Sequence, residues 1–344
     1  MDLLRQPGAS RRVAGPPVTR LLSVERDGNP LRRHGYVSPH IGKIGPLNAA
    51  ALEEIACLAA ASLPQDTPGP TLVVGMAESA LLLSWFLASR LGGDAELRFT
   101  TRERRGDGEC RTFLEPHSHG PVHSLALPPG RSYGRVVIVE DELTSGSTLR
   151  NLLLAIRDAA PRHHVVALSD LRPPGTRRRL EEEMARLGVA LSVLDLSESA
   201  DHSNPGNTCT PPSRNPFGRP REVFEGTVEA LRRRCRSMRP EVLYTIGECV
   251  AVAMAAWEAL PPEERPVFRH VTRSPWLVDG RVVKSRLDLW APPVPHHFLY
   301  NSEERLPRRS LLVGERSTAP VAEKLREFLL SRGIEAETVE VPPA

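Results

Sequence analysis

Val136-Val137-Ile138-Val139-Glu140-Asp141-Glu142-Leu143-Thr144-Ser145-Gly146-Ser147-Thr148 is the stretch on which the fold turns. Its four leading apolar residues read as a buried strand over 135–140, and the apolar spacing after the glycine reads as a helix over 147–159. Between them lie two adjacent carboxylates, Glu140 and Asp141, and a short loop of hydroxyl residues around Gly146. A buried strand that feeds a loop and then a helix is the unit of a parallel α/β sheet, whose ligands bind at the carboxyl ends of the strands. The first turn of the helix offers unpaired N–H groups and a positive dipole end, which suits a phosphate monoester. Thr144, Ser145, Ser147 and Thr148 add hydroxyl donors, and Gly146 lets the backbone approach the anion. The carboxylates then fall where a ribose on that phosphate offers its 2′- and 3′-hydroxyls. A helix cap alone needs one such residue, not an acid pair and four hydroxyls.

Outward from this segment the same alternation repeats. Thr71-Leu-Val-Val-Gly75 reads as a strand before a helix at 78–91, and Ala95 to Thr101 as the next strand. Downstream, strands at 164–169 and 189–194 flank a helix at 176–187. A helix over 47–62 precedes the series and ends at Pro64. The expected fold is α/β, a parallel sheet with helices on both faces, followed by a second smaller α/β domain. Residues 1–35, rich in arginine and lacking periodicity, read as a mobile N-terminal tail. The first domain is expected over 36–196. Residues 197–222, dense in Ser, Pro and Asn, read as a linker, and 223–344 as the second domain. The polar stretch 103–129 reads as a mobile lid.

Composition narrows the function classes. The chain has 344 residues, which suits two domains. Of its 45 basic residues only Lys43, Lys284 and Lys324 are lysine, a bias that fits a GC-rich coding sequence better than a nucleic-acid surface. Nucleic acid is therefore not expected as a partner. No apolar run approaches the 18 or more residues of a membrane span, and the start, Met1-Asp-Leu-Leu, lacks the order of a secretory leader. Five scattered cysteines argue against a disulfide framework and a zinc site, so a reduced, cytoplasmic protein is expected.

The segment Val136 to Thr148 resembles the 5-phosphoribosyl 1-diphosphate (PRPP) motif of type I phosphoribosyltransferases, with Glu140 for the more usual aspartate and Ser147 where a second glycine often stands. The resemblance implies a transferase that displaces pyrophosphate from PRPP with a nitrogen nucleophile. It assigns the ribose hydroxyls to Glu140 and Asp141, and the 5′-phosphate to Thr144, Ser145, Gly146, Ser147 and Thr148. Gly75-Met76-Ala77-Glu78 falls where the family has its pyrophosphate loop. Glu78 there either meets phosphate through Mg²⁺ or serves as a first-turn acid. Mg²⁺ is expected on the diphosphate rather than in a protein cage. With Lys43 the only lysine before residue 284, the cation gripping the diphosphate is expected to be an arginine, Arg102 first. His117 and His119, beside Glu115 and His123, read as lid residues touching diphosphate or nucleophile, with metal binding as the other reading.

The second half echoes the first. Glu241 to Glu248 and its helix parallel Thr71 to Glu78, and Phe268 to Arg273 parallels Arg98 to Arg102. The Gly75–Arg102 and Gly247–Arg273 spacings are 27 and 26 residues. Gly314 stands where Glu140 does and Pro320 where Gly146 does, so a repeat, if real, has lost its sugar site. Thr272-Arg273-Ser274-Pro275, with Tyr300 and Asn301 downstream, resembles the TRSP domain. That domain lies C-terminal to a phosphoribosyltransferase family of bacterial tellurite-resistance-associated gene clusters. The resemblance departs at Met76, Pro116 and the long linker. It implies synthesis of a nucleoside-like metabolite from PRPP and an unidentified base or amine, with a homodimer or other enzymes of the cluster as protein partners. The competing reading is a PRPP-sensing regulator that binds nucleic acid through Arg177-Arg-Arg179 and Arg232 to Arg236.

Overall fold

The computed structural model describes residues 17–28, 33–93, 95–102, 109–116, 122–197, 221–302 and 306–342. In chain order its elements begin with β1 (Leu22–Glu25), β2 (His34–Val37), α1 (Ala49–Ser62), β3 (Thr71–Gly75), α2 (Leu81–Leu91) and β4 (Ala95–Phe99). Next come β5 (Glu109–Leu114), β6 (Val122–Leu127), β7 (Arg135–Leu143), α3 (Ser147–Ile156), β8 (Arg162–Asp170), α4 (Pro174–Arg186) and β9 (Ala190–Asp195). The second half holds α5 (Arg221–Met238), β10 (Val242–Ile246), α6 (Val250–Glu258), β11 (Val267–Val271), β12 (Arg286–Leu289), β13 (His297–Tyr300), β14 (Arg309–Glu315), α7 (Ala319–Ser331) and β15 (Glu335–Val341).

Two parallel sheets carry the molecule, ordered β4-β3-β7-β8-β9 and β11-β10-β14-β15. The strand β3 is buried along its whole length, as are the apolar residues Val136 to Val139 of β7. That is the near-continuous apolar run of a strand covered on both faces. The helix α2 is buried from Leu81 through Ala88 because it packs between α1 and α6. One apolar cluster therefore runs from Leu72 and Val137 through α2 to Val250, Met254 and Phe268 of the second half. No helix among the described residues is long and apolar enough to cross a membrane.

Three expectations change. The segment read as an N-terminal tail folds from Pro17 onward: a 3-10 turn leads into β1, which pairs antiparallel with β2. Val18, Val24 and Val37 bury apolar side chains there, a signal that the arginine-rich composition obscures. The polar stretch read as a lid contains an antiparallel hairpin, β5 with β6, that buries Phe113, Leu125 and Leu127. Its alternation of apolar and polar residues has the period of a strand, whatever its average polarity. Among the cysteines, Cys57 on α1 is disulfide-bonded, whereas Cys110, Cys235 and Cys249 are free thiols. The expected linker falls mostly on 198–220, outside the described residues.

Candidate active site

The strand β7 extends to Leu143, three residues beyond the expected end, so the acidic run is strand rather than loop. Glu140 and Asp141 are half-buried at its carboxyl end. Burial and the adjacent Asp141 carboxylate, with Glu115 beyond, push the Glu140 carboxyl well above the usual carboxylate range. Glu142, assigned no role from sequence, is buried. Its Oε2 accepts from the Tyr36 backbone N–H at 3.1 Å and from Arg26 Nη2 at 3.2 Å. This acid clamps the β1–β2 hairpin over the site. Arg26 in turn lies 5.1 Å above the Trp276 ring of the second half.

After Leu143 the loop turns on Gly146, whose φ of +76° is a left-handed conformation that favours glycine. Gly146, the N-cap of α3, has no side chain to cap the helix. Ser147 N–H donates to Ser145 Oγ at 3.3 Å, and the two hydroxyls lie 3.1 Å apart. Beneath Gly146 packs the buried Arg172, held by both carboxylate oxygens of Asp170 at 2.7 and 2.8 Å. Arg172 Nη1 has no hydrogen-bond partner among the described residues. This second support of the loop was invisible in sequence because Asp170 and Arg172 end a strand well away from the motif.

Alongside, β3 delivers residues 76–79. The Met76 amide donates to Val139 O and the Ala77 amide to Thr100 Oγ1, which ties the turn to β7 and β4. Gly75 itself lies in the strand. A Cβ there would come within 2.1 Å of Ser84 Oγ and 2.8 Å of Phe99, so packing of α2 requires it. Glu78 is buried and faces the second half: its carboxylate accepts the Arg273 backbone N–H at 3.2 Å and lies 3.3 Å from His270 Nε2. Burial alone would raise its pKa, but Lys43, His270, Arg273 and Arg102 outweigh that and hold it to about 2.

Lys43 was passed over in sequence because arginine outnumbers it so heavily. Only 1% exposed, it donates from Nζ to Ser79 Oγ at 2.6 Å and to Ser274 Oγ at 3.3 Å. Burial lowers its pKa, and the carboxylates of Glu78, Asp141 and Glu140 oppose that. It therefore sits behind the carboxylate cluster and joins the 76–79 turn to the Thr272–Pro275 segment.

Arg102 lies where sequence put it, but its guanidinium is engaged. Nη2 donates to Glu115 Oε2 at 3.1 Å, and Nη1 is 3.8 Å from Glu248. Glu248 also accepts the Arg102 amide at 3.2 Å and Thr101 Oγ1 at 2.5 Å. Glu115 meets His123 Nε2 at 2.8 Å, and His123 with Arg102 holds the carboxyl down to about 2 against the effect of burial. His117 and His119 lie outside the described residues. Of the arginine runs considered for nucleic acid, Arg177 faces Asp170, Arg232 faces Glu229, Arg234 faces Glu337 and Arg236 faces Glu264.

These pieces surround one cavity of about 690 Å³. The first half contributes Met76, Ala77, Glu78, Ser79, Arg102, Glu140, Asp141, Thr144, Ser145, Gly146 and Thr148 to its wall. Arg273, Ser274 and Pro275 of the second half close it opposite, with Trp276, His296 and Phe298. Gly75, Ser147, Tyr300 and Asn301 are not on that wall. Tyr300 donates its hydroxyl to Ser274 O at 2.6 Å and accepts from Trp276 N–H, and Asn301 ties Ile44, Val282 and the 284–285 backbone together. Both support the wall from behind.

A parallel sheet with an acid pair and a hydroxyl-rich loop at its carboxyl edge has the layout in which open α/β folds bind their ligands. The chain belongs to the phosphoribosyl transferase family, whose model matches residues 21–200. Among solved structures it is similar to the adenine phosphoribosyltransferase of Saccharomyces cerevisiae (14% identity, 51% of this chain and 93% of that one, TM-score 0.36). It is also similar to the Giardia lamblia APRTase (19%, 50% and 92%, 0.38) and the Trypanosoma brucei adenine phosphoribosyltransferase (13%, 60% and 85%, 0.40). No curated protein matches the chain.

Proposed function

We propose that the chain transfers the 5-phosphoribosyl group of PRPP to a nitrogen nucleophile with release of pyrophosphate. The observation that carries this reading is the common cavity of Glu140, Asp141, the 144–148 loop and the 76–79 turn. In it Glu140 and Asp141 accept the ribose 2′- and 3′-hydroxyls, and the loop amides with Thr144, Ser145 and Thr148 hold the 5′-phosphate. Ser147 orders Ser145. The diphosphate lies over residues 76–79, toward Arg102. The bond between the anomeric carbon and the diphosphate oxygen breaks as the nucleophile's nitrogen bonds to that carbon. The developing oxocarbenium charge faces the acid pair, so positioning and electrostatics do most of the work.

Mg²⁺ fits as a companion of the substrate. Glu78 and the adjacent pair Glu140 and Asp141 line the cavity where the diphosphate and ribose would lie. Bound to the diphosphate, the ion would neutralise the leaving group. The acceptor, a base or an amine, enters beside Trp276, His296 and Phe298. Membership among tellurite-resistance-associated enzymes rests on sequence resemblance, in Thr272-Arg273-Ser274-Pro275 with Tyr300 and Asn301 and in the blocks around Gly75, Arg102, Glu115 and Glu140. Calorimetric titration with Mg–PRPP tests the reading: the wild type binds, and Glu140→Ala/Asp141→Ala loses binding. Unchanged binding in that variant overturns the site. Pyrophosphate release across a panel of bases and amines then identifies the acceptor.

A further inference from the structure

The two sheets share one topology. In each, the second strand lies beside the first, the third on the other side, and the fourth outside the third. In each, an antiparallel hairpin interrupts the chain between the second and third strands: β5–β6 in one half, β12–β13 in the other. A bridge of two backbone hydrogen bonds fastens each hairpin to its sheet, Thr101 with Ser124 and Thr272 with Phe298.

From these bridges the ladders give the residue equivalences. Arg102 corresponds to Arg273, His123 to His297 and Glu115 to Ala291. Glu78 corresponds to Glu248, Glu140 to Gly314 and Asp141 to Glu315. The register places Gly247 opposite Ala77, not Gly75, so the glycine match read from sequence is two residues off. The halves then meet with the reciprocity of a two-fold dimer, in which residue i contacts j and j contacts i. Glu78 accepts the Arg273 amide, and Glu248 accepts the Arg102 amide, each at 3.2 Å. The helices α2 and α6 pack against each other.

We propose that the second half is a decayed copy that completes the first half's site across this internal pseudo-two-fold, with Arg273 as the cation set against the substrate's diphosphate. The inference rests on the cavity being a PRPP site. Arg102, the cation expected from sequence, bridges Glu115 and Glu248. Arg273 lines the same cavity from the second half, with its amide on the Glu78 carboxylate. Its Nε–H meets His297 Nε2 at 3.4 Å. His297 donates from Nδ1 to Pro295 O, and burial, foremost, lowers its pKa to about 4, so the ring meets Arg273 as a neutral acceptor. The equivalences also account for the asymmetry of the copies: Gly314 and Pro320 remove the second sugar site, while the arginine that serves the first is kept.

The test is titration of the full chain with Mg–PRPP, Mg–pyrophosphate and ribose 5-phosphate. Arg273→Ala leaves the Arg273 amide on Glu78 and should weaken pyrophosphate and PRPP binding about tenfold to a hundredfold. Ribose 5-phosphate, which lacks the diphosphate, should bind within about twofold of wild type, a change of less than 0.5 kcal/mol. Arg273→Lys, which keeps the charge, should recover most of the lost affinity. Wild-type pyrophosphate affinity in Arg273→Ala overturns the assignment while the PRPP reading stands. An equal loss of ribose 5-phosphate binding also overturns it, because a merely structural role predicts that result. Failure of the wild type to bind either phosphosugar defeats the PRPP reading itself, and the assignment falls with it.

Discussion

A carboxyl group pressed against a second one in a buried site resists ionisation, and Glu140 is in that position. Its pKa in the folded protein is raised, so between the ordinary carboxylate range and that raised value the folded chain holds a proton the unfolded chain has released. Stability from this group is complete below the ordinary range and falls as pH rises through the window. Glu140→Gln removes the loss. Its melting temperature should exceed wild type's by about 2–4 °C at pH 8, a gain of roughly 1 kcal/mol, and by little at pH 4. PRPP affinity should fall in the same variant, because an amide is a poorer acceptor for the ribose hydroxyls. Melting curves at the two pH values, with calorimetry, check both halves of the expectation. Lys43 presents the opposite case, a buried cation compensating carboxylates. Lys43→Met keeps the volume and removes the charge and both serine contacts. It should cost about 3 kcal/mol in denaturant unfolding, the scale of breaking one side of a buried charge cluster. A cost under about 0.5 kcal/mol would show that Lys43 is dispensable there.

At the scale of elements, two glycines that look alike in sequence should separate by experiment. Gly146 turns the loop at φ +76°, and an added Cβ meets only the side chain of Arg172, at 2.9 Å. Gly146→Ala should therefore cost about 1 kcal/mol of backbone strain and lower ribose 5-phosphate affinity. Gly75→Ala drives a methyl into Ser84 and Phe99 and should destabilise by about 2–3 kcal/mol through overpacking. What remains folded should still bind ribose 5-phosphate, since Gly75 is off the cavity wall. Unfolding and titration of both variants decide the matter, and the reverse pattern would reassign the two turns. The sequence made legible what is local and periodic. The apolar run Val136 to Val139, the acid pair and the hydroxyl loop are contiguous, so strand, site and helix could be read together. The β1–β2 and β5–β6 hairpins were missed because arginine and glycine dilute their short alternations. Glu142, Arg172 and Lys43 were missed for another reason. Their roles come from partners 106, 26 and 231 residues away, Tyr36, Gly146 and Ser274, and no spacing rule connects such pairs.

For the whole molecule, the decisive fact is that one apolar cluster joins the two halves, beside a second cluster confined to the second half. Leu81 to Ala88 of α2 are buried in turn, and Val250 to Met254 of α6 meet them from the other half. A helix apolar all round needs cover on every face, so the first half cannot keep α2 covered by itself. The reciprocal contacts of Glu78 and Glu248 add buried carboxylates that each half helps to satisfy for the other, by the Arg273 amide and His270 in one direction and by the Arg102 amide and the Thr101 hydroxyl in the other. A fragment of residues 1–200, which holds the family-matched portion and all the PRPP-motif residues, should therefore self-associate or precipitate. The full chain should run as a monomer, because its pseudo-two-fold already occupies the surface a second copy would use. Co-expression of 1–200 with 221–344 should restore a soluble one-to-one complex that binds Mg–PRPP like the intact chain. Gel filtration with light scattering measures the masses, and calorimetry the binding. A soluble, monomeric 1–200 fragment with full PRPP affinity would mean that the second half neither covers the core nor completes the site, and that the echo between the halves is ancestry without present function.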